Sequence, residues 1–223
     1  MRRTVLLFLL PVLLLTACSG SPPGIVNTDW RVVYARDLVR GTVWQELNFF
    51  VQVDDEDGEE DLAEIYLIRD DLGWSWKLDP ETWQTYSRDG EFWVGSNGLC
   101  LSGGDSLPGG DYRLLVIDRS GQRNELTVTV RQPGVDMNTL AFPGIALSGE
   151  YIRIESDREP LVLWFYNDMG DLVAEKYTGR GTFPLTDFLS SEERQQVTWM
   201  YVYLQEEQEG YGMKSGPYLL DGP

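Results

Sequence analysis

Short stretches in which apolar and polar residues alternate recur along this chain, and they constrain its fold more than any other feature. Residues 47–54 alternate with a period of two, and residues 126–131 do the same. A period of two places successive side chains on opposite faces of a strand. Because Gly, Pro, Asn and Asp separate these stretches, the pattern predicts an all-β protein with little helix.

Further strands are predicted where the chain alternates or is continuously apolar over five to ten residues. They are 63–69, 74–78, 91–95, 111–118, 151–155, 161–166, 172–177, 198–205 and 211–220. One short helix is predicted over 186–196. Either Thr186 or Ser190 could cap it, and Glu192 and Glu193 would stand in its favourable first turn.

The strands fall into two runs separated by Gln132-Pro133-Gly134. The hairpin of 111–118 and 126–131, entered through Pro108-Gly109-Gly110, resembles the last two strands of an immunoglobulin-like or fibronectin III-like sandwich. That resemblance implies an architecture and no chemistry. We therefore expect two tandem β-sandwich domains, 25–132 and 133–223, with a single long sandwich as the alternative.

The N-terminus has the pattern of an export signal. Arg2 and Arg3 precede an apolar segment, 5–15, that is too short to span a bilayer. The following Leu15-Thr16-Ala17-Cys18 closely resembles the lipobox of bacterial lipoproteins. The alternative is an ordinary signal peptide that is cleaved near Ala17.

The lipobox resemblance implies a sequence of processing steps. A diacylglycerol is attached to the Cys18 thiol, residues 1–17 are removed as the signal peptide, and the new N-terminus is acylated with a fatty acid such as palmitate. Residues 18–24 would then form the lipidated Cys and a flexible tether. The expected location is the exported side of a bacterial membrane. In a diderm organism Ser19, rather than Asp, implies the outer membrane.

Charge and composition exclude several classes of function. The chain has 36 Asp and Glu against 18 Lys and Arg, a formal charge of −18, which would become −20 without residues 1–17. An acidic surface repels phosphate backbones, so nucleic acid is not expected as a partner. The absence of His excludes Ser-His and Cys-His nucleophile pairs and His-ligated metals. Cys100, between Leu99 and Leu101, is expected to be a small buried apolar residue.

Seven carboxylates within eight positions form an acidic loop. They are Asp54, Asp55, Glu56, Asp57, Glu59, Glu60 and Asp61. Clustered carboxylates suit Ca²⁺, which accepts 6–8 oxygen ligands, so the loop is a candidate for weak Ca²⁺ binding. An EF-hand pattern, with Glu64 at its last position, is met only in part. The alternative is a solvated loop between two strands.

Aromatic residues form a second candidate site. The candidates for a ligand platform are Trp74, Trp76, Trp83, Trp93, Trp199, Tyr201 and Tyr203. In the strand 198–205 both faces are apolar, so one face must pack a core and the other is either covered or presents rings. Flat rings bind sugars by stacking and peptides through their contact area. The alternative is that the rings fill the sandwich cores.

These features favour a non-catalytic binding or scaffolding module on a bacterial envelope. Its expected partners are the membrane, through the lipid, and an envelope protein. A carbohydrate or other ligand bound by the Trp-rich stretch 74–93 is the alternative, and a carboxylate-pair hydrolase is the least favoured. We expect no enzyme and no cofactor beyond weak Ca²⁺, since no S-x-x-K motif is completed by any of the three lysines.

Overall fold

The computed structural model describes residues 20–104 and 106–220, and these residues form an almost entirely β structure. The predicted signal peptide, Cys18 and Ser19 lie outside the described residues. Fifteen strands follow one another along the described part of the chain. They are β1 (Gly24–Asp37), β2 (Thr42–Asp54), β3 (Leu62–Arg69), β4 (Trp74–Leu78), β5 (Gln84–Arg88), β6 (Glu91–Leu99), β7 (Gly110–Asp118), β8 (Arg123–Val130), β9 (Gly144–Ser148), β10 (Tyr151–Glu155), β11 (Leu161–Tyr166), β12 (Leu172–Thr178), β13 (Gly181–Pro184), β14 (Trp199–Glu206) and β15 (Tyr211–Leu219).

The helical content is small. One α-helix, α1 (Ser191–Gln196), accompanies the 3₁₀ turns Glu59–Asp61, Met137–Thr139 and Leu185–Asp187. Of the two predicted caps, Ser190 is the N-cap of α1: its Oγ accepts the Glu193 amide, and the Glu193 carboxylate accepts the Ser190 amide, which makes a capping box. No helix among the described residues has the length and apolar content needed to cross a membrane.

The all-β prediction is confirmed, and the strands form three sheets. The largest has eight strands in the order β12-β11-β14-β15-β1-β2-β6-β5, and the smaller sheets are β4-β3-β7-β8 and β13-β10-β9. In the middle of the large sheet β1 runs parallel to β15, while its pairing with β2 is antiparallel. The large sheet therefore contains strands from both the first and the second half of the chain.

Both smaller sheets pack against one face of the large sheet, which gives a double sandwich. One buried cluster joins β2 to the four-stranded sheet and includes Phe49 and Leu114. A second joins β11 and β14 to the three-stranded sheet and includes Phe165 and Ile152. We call this side of the large sheet its inner face.

Strand β1 contributes to both clusters, because Val32 belongs to the first and Tyr34 to the second. The predicted boundary at 132–134 falls between β8 and β9. The division into domains 25–132 and 133–223 stays a prediction. The alternation pattern did not indicate that one sheet runs through both sandwiches.

A tyrosine corner supports the predicted immunoglobulin-like hairpin of β7 and β8. The Tyr112 hydroxyl donates to the carbonyl of Pro108, four residues upstream, at 2.6 Å. Arg69 lies over the Tyr112 ring at 4.9 Å and donates to the Pro108 and Gly109 carbonyls at 3.0 and 2.8 Å. These bonds hold the entry to β7 against the end of β3.

The expectation that Cys100 is buried is wrong. Cys100 is an exposed free thiol. Strand β6 ends one residue earlier, at the buried Leu99, so the strand alternation that the apolar neighbours suggested does not extend to Cys100. The carbonyl of Cys100 accepts a hydrogen bond from the Trp76 indole at 3.1 Å.

Candidate functional site

The second face of the large sheet, its outer face, carries the aromatic residues of β14. Alternation along β14 points Met200, Val202 and Leu204 into the second core. The intervening Trp199, Tyr201 and Tyr203 therefore lie on the outer face. On this face Trp199 and Tyr201 are half-buried, whereas Tyr203 is buried.

Small residues in the middle of the outer face let these rings lie low. The Tyr203 ring rests on Gly212 of β15, and the Tyr201 ring rests on Gly216, so that a Cβ at either glycine would collide with the ring. The neighbouring strand β1 adds Ala35, which lies opposite Lys214. The outer face is thus shallow along β1 and β15, and a group of aromatic rings stands on each side of these two strands.

Rings from β11 and β14 form one bank. Tyr166 stacks on Trp199 with ring centroids 4.2 Å apart, and Trp164 stacks on Tyr203 at 4.8 Å. Because the pairs bridge adjacent strands, each ring is held by a cross-strand neighbour. With Tyr201, the rings of Trp164, Tyr166 and Trp199 are half-buried, and Tyr203 is only 8% exposed.

Rings from β2, β5 and β6 form the opposite bank. Phe50 meets Tyr86 edge to face at 5.0 Å, and Tyr86 stacks on Trp93 at 6.0 Å. Gly95 permits this packing of β6 on β2, since a Cβ there would collide with the backbone of Phe49 and Phe50.

Between the banks lies a groove of about 640 Å³, which we call the aromatic groove. Its aromatic lining is Phe50, Tyr86, Trp164, Tyr166, Trp199 and Tyr201. This volume falls in the range of ordinary small-ligand sites. A smaller depression of about 280 Å³ continues from it and adds Asp29, Arg31 and Tyr203.

An ion pair lies in the groove. Lys214 Nζ is 2.6 Å from Glu46 Oε2, and their side chains are 21% and 7% exposed. The second Glu46 oxygen accepts the Trp44 indole N–H at 3.0 Å, and Lys214 Nζ lies 5.5 Å from the Tyr201 ring centroid. Both carboxylate oxygens of Glu46 are therefore engaged, and the ammonium group sits at a ring face.

Polar side chains complete both sides of the groove. On one side Asn97 Nδ2 donates to Gln84 Oε1 at 2.8 Å, and Asn48 Oδ1 accepts the Gly98 amide at 3.0 Å. On the other side Glu175 Oε2 accepts the Trp164 indole N–H at 2.9 Å. The groove thus combines flat apolar surfaces with amide and carboxylate groups at its margins.

Burial keeps the groove phenols in their neutral form. It raises the pKa of Tyr166 and of Tyr203 to about 12, and it also raises the pKa of Tyr201. At neutral pH these hydroxyls are hydrogen-bond donors, as Tyr203 is to Gln205 Oε1 at 2.6 Å.

The predicted platform residues are divided between two places. Trp93, Trp199, Tyr201 and Tyr203 lie on the outer face, whereas Trp74, Trp76 and Trp83 pack against the first core. Trp76 also stacks on the buried Tyr112 at 6.2 Å. The Trp-rich stretch 74–93 is therefore not one continuous surface.

Sequence reasoning missed Phe50, Tyr86, Trp164 and Tyr166. Trp164 and Tyr166 belong to β11, whose residues are all apolar or aromatic. The sequence therefore did not show that one face of β11 is buried in the core and the other is half-buried on the outer face. Tyr86 belongs to β5, whose polar composition gave no strand signal. The ring-on-glycine contacts have no signal in the sequence at all.

The acidic loop is partly brought together. Carboxylate oxygens of Asp55, Asp57 and Asp61 lie within 4.8 Å of one another. Burial raises the pKa of Asp61, and the charges of Asp118, Asp55 and Asp57 raise it further, whereas Arg119 lowers it. The buried Asp118, which follows 57 residues after Asp61, was not predicted.

The remaining predicted ligands of the loop point elsewhere. The Glu56 carboxylate accepts the Ser21 hydroxyl at 2.7 Å, and Asp54, Glu59 and Glu60 are exposed. Glu64, the last position of the partial EF-hand match, pairs with Lys77 at 2.8 Å, which with the Tyr66 hydroxyl lowers its pKa. The EF-hand correspondence does not describe this loop.

Fold and groove together define an all-β sandwich protein with a ring-lined groove on the outer face of its large sheet. No protein-family model matches the chain, and no curated protein sequence does.

Distant likenesses exist among solved structures. Tp47, the 47-kilodalton lipoprotein of Treponema pallidum, is 12% identical over 87% of this chain and 50% of its own, with a TM-score of 0.38. Dimeric latent PorU from Porphyromonas gingivalis is 14% identical over 90% of this chain and 21% of its own, with a TM-score of 0.34.

A structure of Dpr11 IG1 bound to DIP-gamma IG+IG2 gives 10% identity over 88% of this chain and 98% of the other, with a TM-score of 0.25. This chain thus spans half the length of Tp47 and about a fifth of PorU. TM-scores under 0.5 support no inference from these likenesses.

Proposed function

We propose that this chain is a non-catalytic binding module of a bacterial envelope, anchored by lipid at Cys18, and that the aromatic groove binds its ligand. The observation that carries the proposal is the groove itself. Half-buried rings on the outer face leave apolar surface in contact with water, and covering it yields roughly 25 cal/mol per Å². Anchoring rests on the lipobox sequence alone.

A glycan is the ligand class that the groove fits best. The flat rings of Trp199 and Tyr201 offer stacking surfaces to the C–H faces of sugar rings. Amide groups of Asn48 and Gln84, and the ammonium group of Lys214, stand within the same lining and suit sugar hydroxyls. The groove volume accommodates an oligosaccharide of a few units.

The carboxylates near the groove support binding rather than hydrolysis. Glu46 is held by Lys214 and the Trp44 indole, and Glu175 is held by the Trp164 indole. Asp171 accepts a hydrogen bond from Asn167 at 2.9 Å. A glycosidase needs one carboxylic acid to donate a proton and a facing carboxylate to act as base or nucleophile, and each of these acids already has a structural partner.

Calorimetric titration with oligosaccharides of bacterial envelopes tests the proposal. Trp199→Ala and Tyr201→Ala should each weaken binding at least about tenfold, as expected for removing a stacking ring. Tyr151→Ala is the matched control, because Tyr151 is a 54% exposed aromatic residue on the distant strand β10. Equal loss in all three variants, or release of free sugar during the titration, would contradict the proposal.

A protein of the same envelope is the second candidate ligand. Strand β5 is an edge of the large sheet, and its Gln84, Thr85 and Tyr86 line the groove. An extended peptide could therefore pair with the free edge of β5 and place side chains in the groove. Capture of an envelope protein that depends on Tyr201 but is not displaced by oligosaccharides would favour this candidate over a glycan.

A further inference from the structure

The acidic loop meets a second acidic element at one end of the first sandwich. Asp118 is the last residue of β7, and it pairs with Leu62. Leu62 is the residue that follows Asp61. The Arg119 amide donates to the Asp61 carbonyl at 2.7 Å, which fixes the two segments side by side. Four aspartates, Asp55, Asp57, Asp61 and Asp118, therefore gather where the loop crosses the end of β7.

Asp118 is the feature that distinguishes this place from an ordinary acidic surface. It is only 2% exposed. Its Oδ1 accepts hydrogen bonds from the Gln122 amide at 2.8 Å and the Ser120 hydroxyl at 2.9 Å. Its Oδ2 is also buried and has no hydrogen-bond partner among the described residues. A buried carboxylate oxygen without a hydrogen-bond partner destabilises the folded state, so a binding partner is expected.

Asp55 repeats this arrangement. Its Oδ1 accepts the Asp57 amide at 3.0 Å, whereas its Oδ2 is buried without a partner in the described part of the chain. The negative charges of Asp118, Asp55 and Asp57 all act on Asp61, and the positive charge of Arg119 opposes them. Asp118 and Asp55 thus each have one buried oxygen without a hydrogen-bond partner, and no basic side chain forms an ion pair with any of the four aspartates in the described chain.

We infer that Asp55, Asp57, Asp61 and Asp118 bind a Ca²⁺ ion. Ca²⁺ takes oxygen ligands at about 2.3–2.6 Å, so oxygens on opposite sides of the ion lie up to roughly 5 Å apart. The three loop carboxylates, within 4.8 Å of one another, match that span. Mg²⁺ would require a contraction to about 4.2 Å and a regular octahedron. This site is separate from the aromatic groove and does not depend on the function proposed for it.

The site also contacts the segment that follows the predicted anchor. The Ser21 amide donates to Asp57 Oδ2 at 2.9 Å, and Gln122 Nε2 donates to the Gly20 carbonyl. Gly20 is two residues beyond Cys18, a reach of roughly 7 Å. Ca²⁺ would therefore offset part of the negative charge of this end of the protein, next to the predicted tether.

Thermal unfolding of the full chain in nonionic detergent, followed by Trp fluorescence, tests the site. In EDTA the Asp61→Asn variant should unfold at a higher temperature than the wild type, because one repelling charge is removed. Adding 5 mM CaCl₂ should raise the wild-type midpoint by about 3–6 °C, and MgCl₂ should give less than half of that shift. Asp61→Asn should abolish the Ca²⁺ shift.

Glu60→Gln is the matched control, since it removes one charge from the same loop at an exposed residue outside the four aspartates. It should retain the Ca²⁺ shift, whereas Asp55→Asn and Asp118→Asn should lose it. If Asp118→Asn fails to fold, Asp55→Asn decides. The inference is overturned if 10 mM CaCl₂ leaves the wild-type midpoint unchanged, or if Glu60→Gln and Asp61→Asn lose the shift equally.

Discussion

Single residues of the outer face combine an apolar body with a polar tip. Tyr203 is the clearest case: its ring stacks on Trp164 and covers Gly212, while its hydroxyl donates to Gln205. Such a residue packs like a core side chain and still keeps one hydrogen-bonding group directed along the surface. This property lets the Tyr203 ring pack on the outer face of β14 while its hydroxyl keeps a hydrogen-bond partner.

The raised pKa of Tyr203 leads us to expect a loss of stability at high pH. Burial raises its pKa to about 12 in the folded protein, against about 10 in an unfolded chain. The contribution of the neutral Tyr203 phenol to the free energy of unfolding is complete below pH 10. It is lost as the pH rises to 12, at up to about 1.4 kcal/mol per pH unit. Urea unfolding of Tyr203→Phe between pH 8 and 11.5 should show a shallower decline than the wild type.

At neutral pH the free energy of unfolding of the same variant should be about 1 kcal/mol lower than that of the wild type, because the hydrogen bond to Gln205 is removed. Tyr151→Phe, at an exposed tyrosine, is the control and should follow the wild-type pH dependence. A Tyr203→Phe protein whose stability declines as steeply as the wild type would show that this phenol does not control alkaline unfolding.

At the level of elements, the strands with apolar residues along at least one face were predicted most accurately. Strand β11 was predicted with its observed bounds, and β7 and β14 within a residue at either end, because apolar residues line at least one face of each. The strands β5 and β13 were missed because they carry few apolar residues, and β9 was missed although Ile145, Ala146 and Leu147 are apolar. The prediction also missed β1, whose apolar residues are interrupted by Asn27, Asp29 and Arg31.

Strand β1 is the element on which the second half of the chain depends. Residues 133–223 expressed alone lack its parallel pairing with β15 and the Tyr34 side chain in the second core. We expect this fragment to lack a cooperative thermal transition in circular dichroism, because an interior strand of its sheet is absent. Joining residues 20–40 to it through a Gly/Ser linker should restore the transition.

The full chain should then unfold in a single calorimetric transition, since β1 belongs to both cores. Cooperative folding of 133–223 alone would contradict this expectation and would support two independent domains instead.

At the scale of the whole molecule, removal of the predicted signal peptide would make the net charge more negative. Without residues 1–17 the formal charge would be −20, and the Asp55–Asp57–Asp61 group lies beside Gly20, the first residue described. The acidic end would thus face the membrane to which the lipid attaches, while the aromatic groove lies on the outer face of the large sheet. The proposed membrane attachment and the proposed ligand binding would therefore involve different parts of the molecule.

Cys18→Ala tests the anchor. The variant should lose incorporation of labelled fatty acid and should be released from membranes by alkaline washing. It would lack the two or three acyl chains that hold a lipidated protein firmly on the membrane. Cys100→Ala is the matched control: it removes the exposed thiol and should retain both the label and the membrane attachment. Labelling of the Cys18→Ala variant would exclude the lipoprotein assignment.

The sequence by itself determined the all-β class, most strands, the acidic loop and a short helix with Ser190 as one of two candidate caps, because these depend on local periodicity and on nearby residues. Only the tertiary structure decided that β1 joins two sandwiches, that Asp118 meets Asp61, and that rings from β2, β5, β11 and β14 share one groove. The physical reason is that strand pairing brings together residues distant in the chain. Which face of each strand is then buried depends on the sheet packed against it, and local alternation does not encode that neighbour.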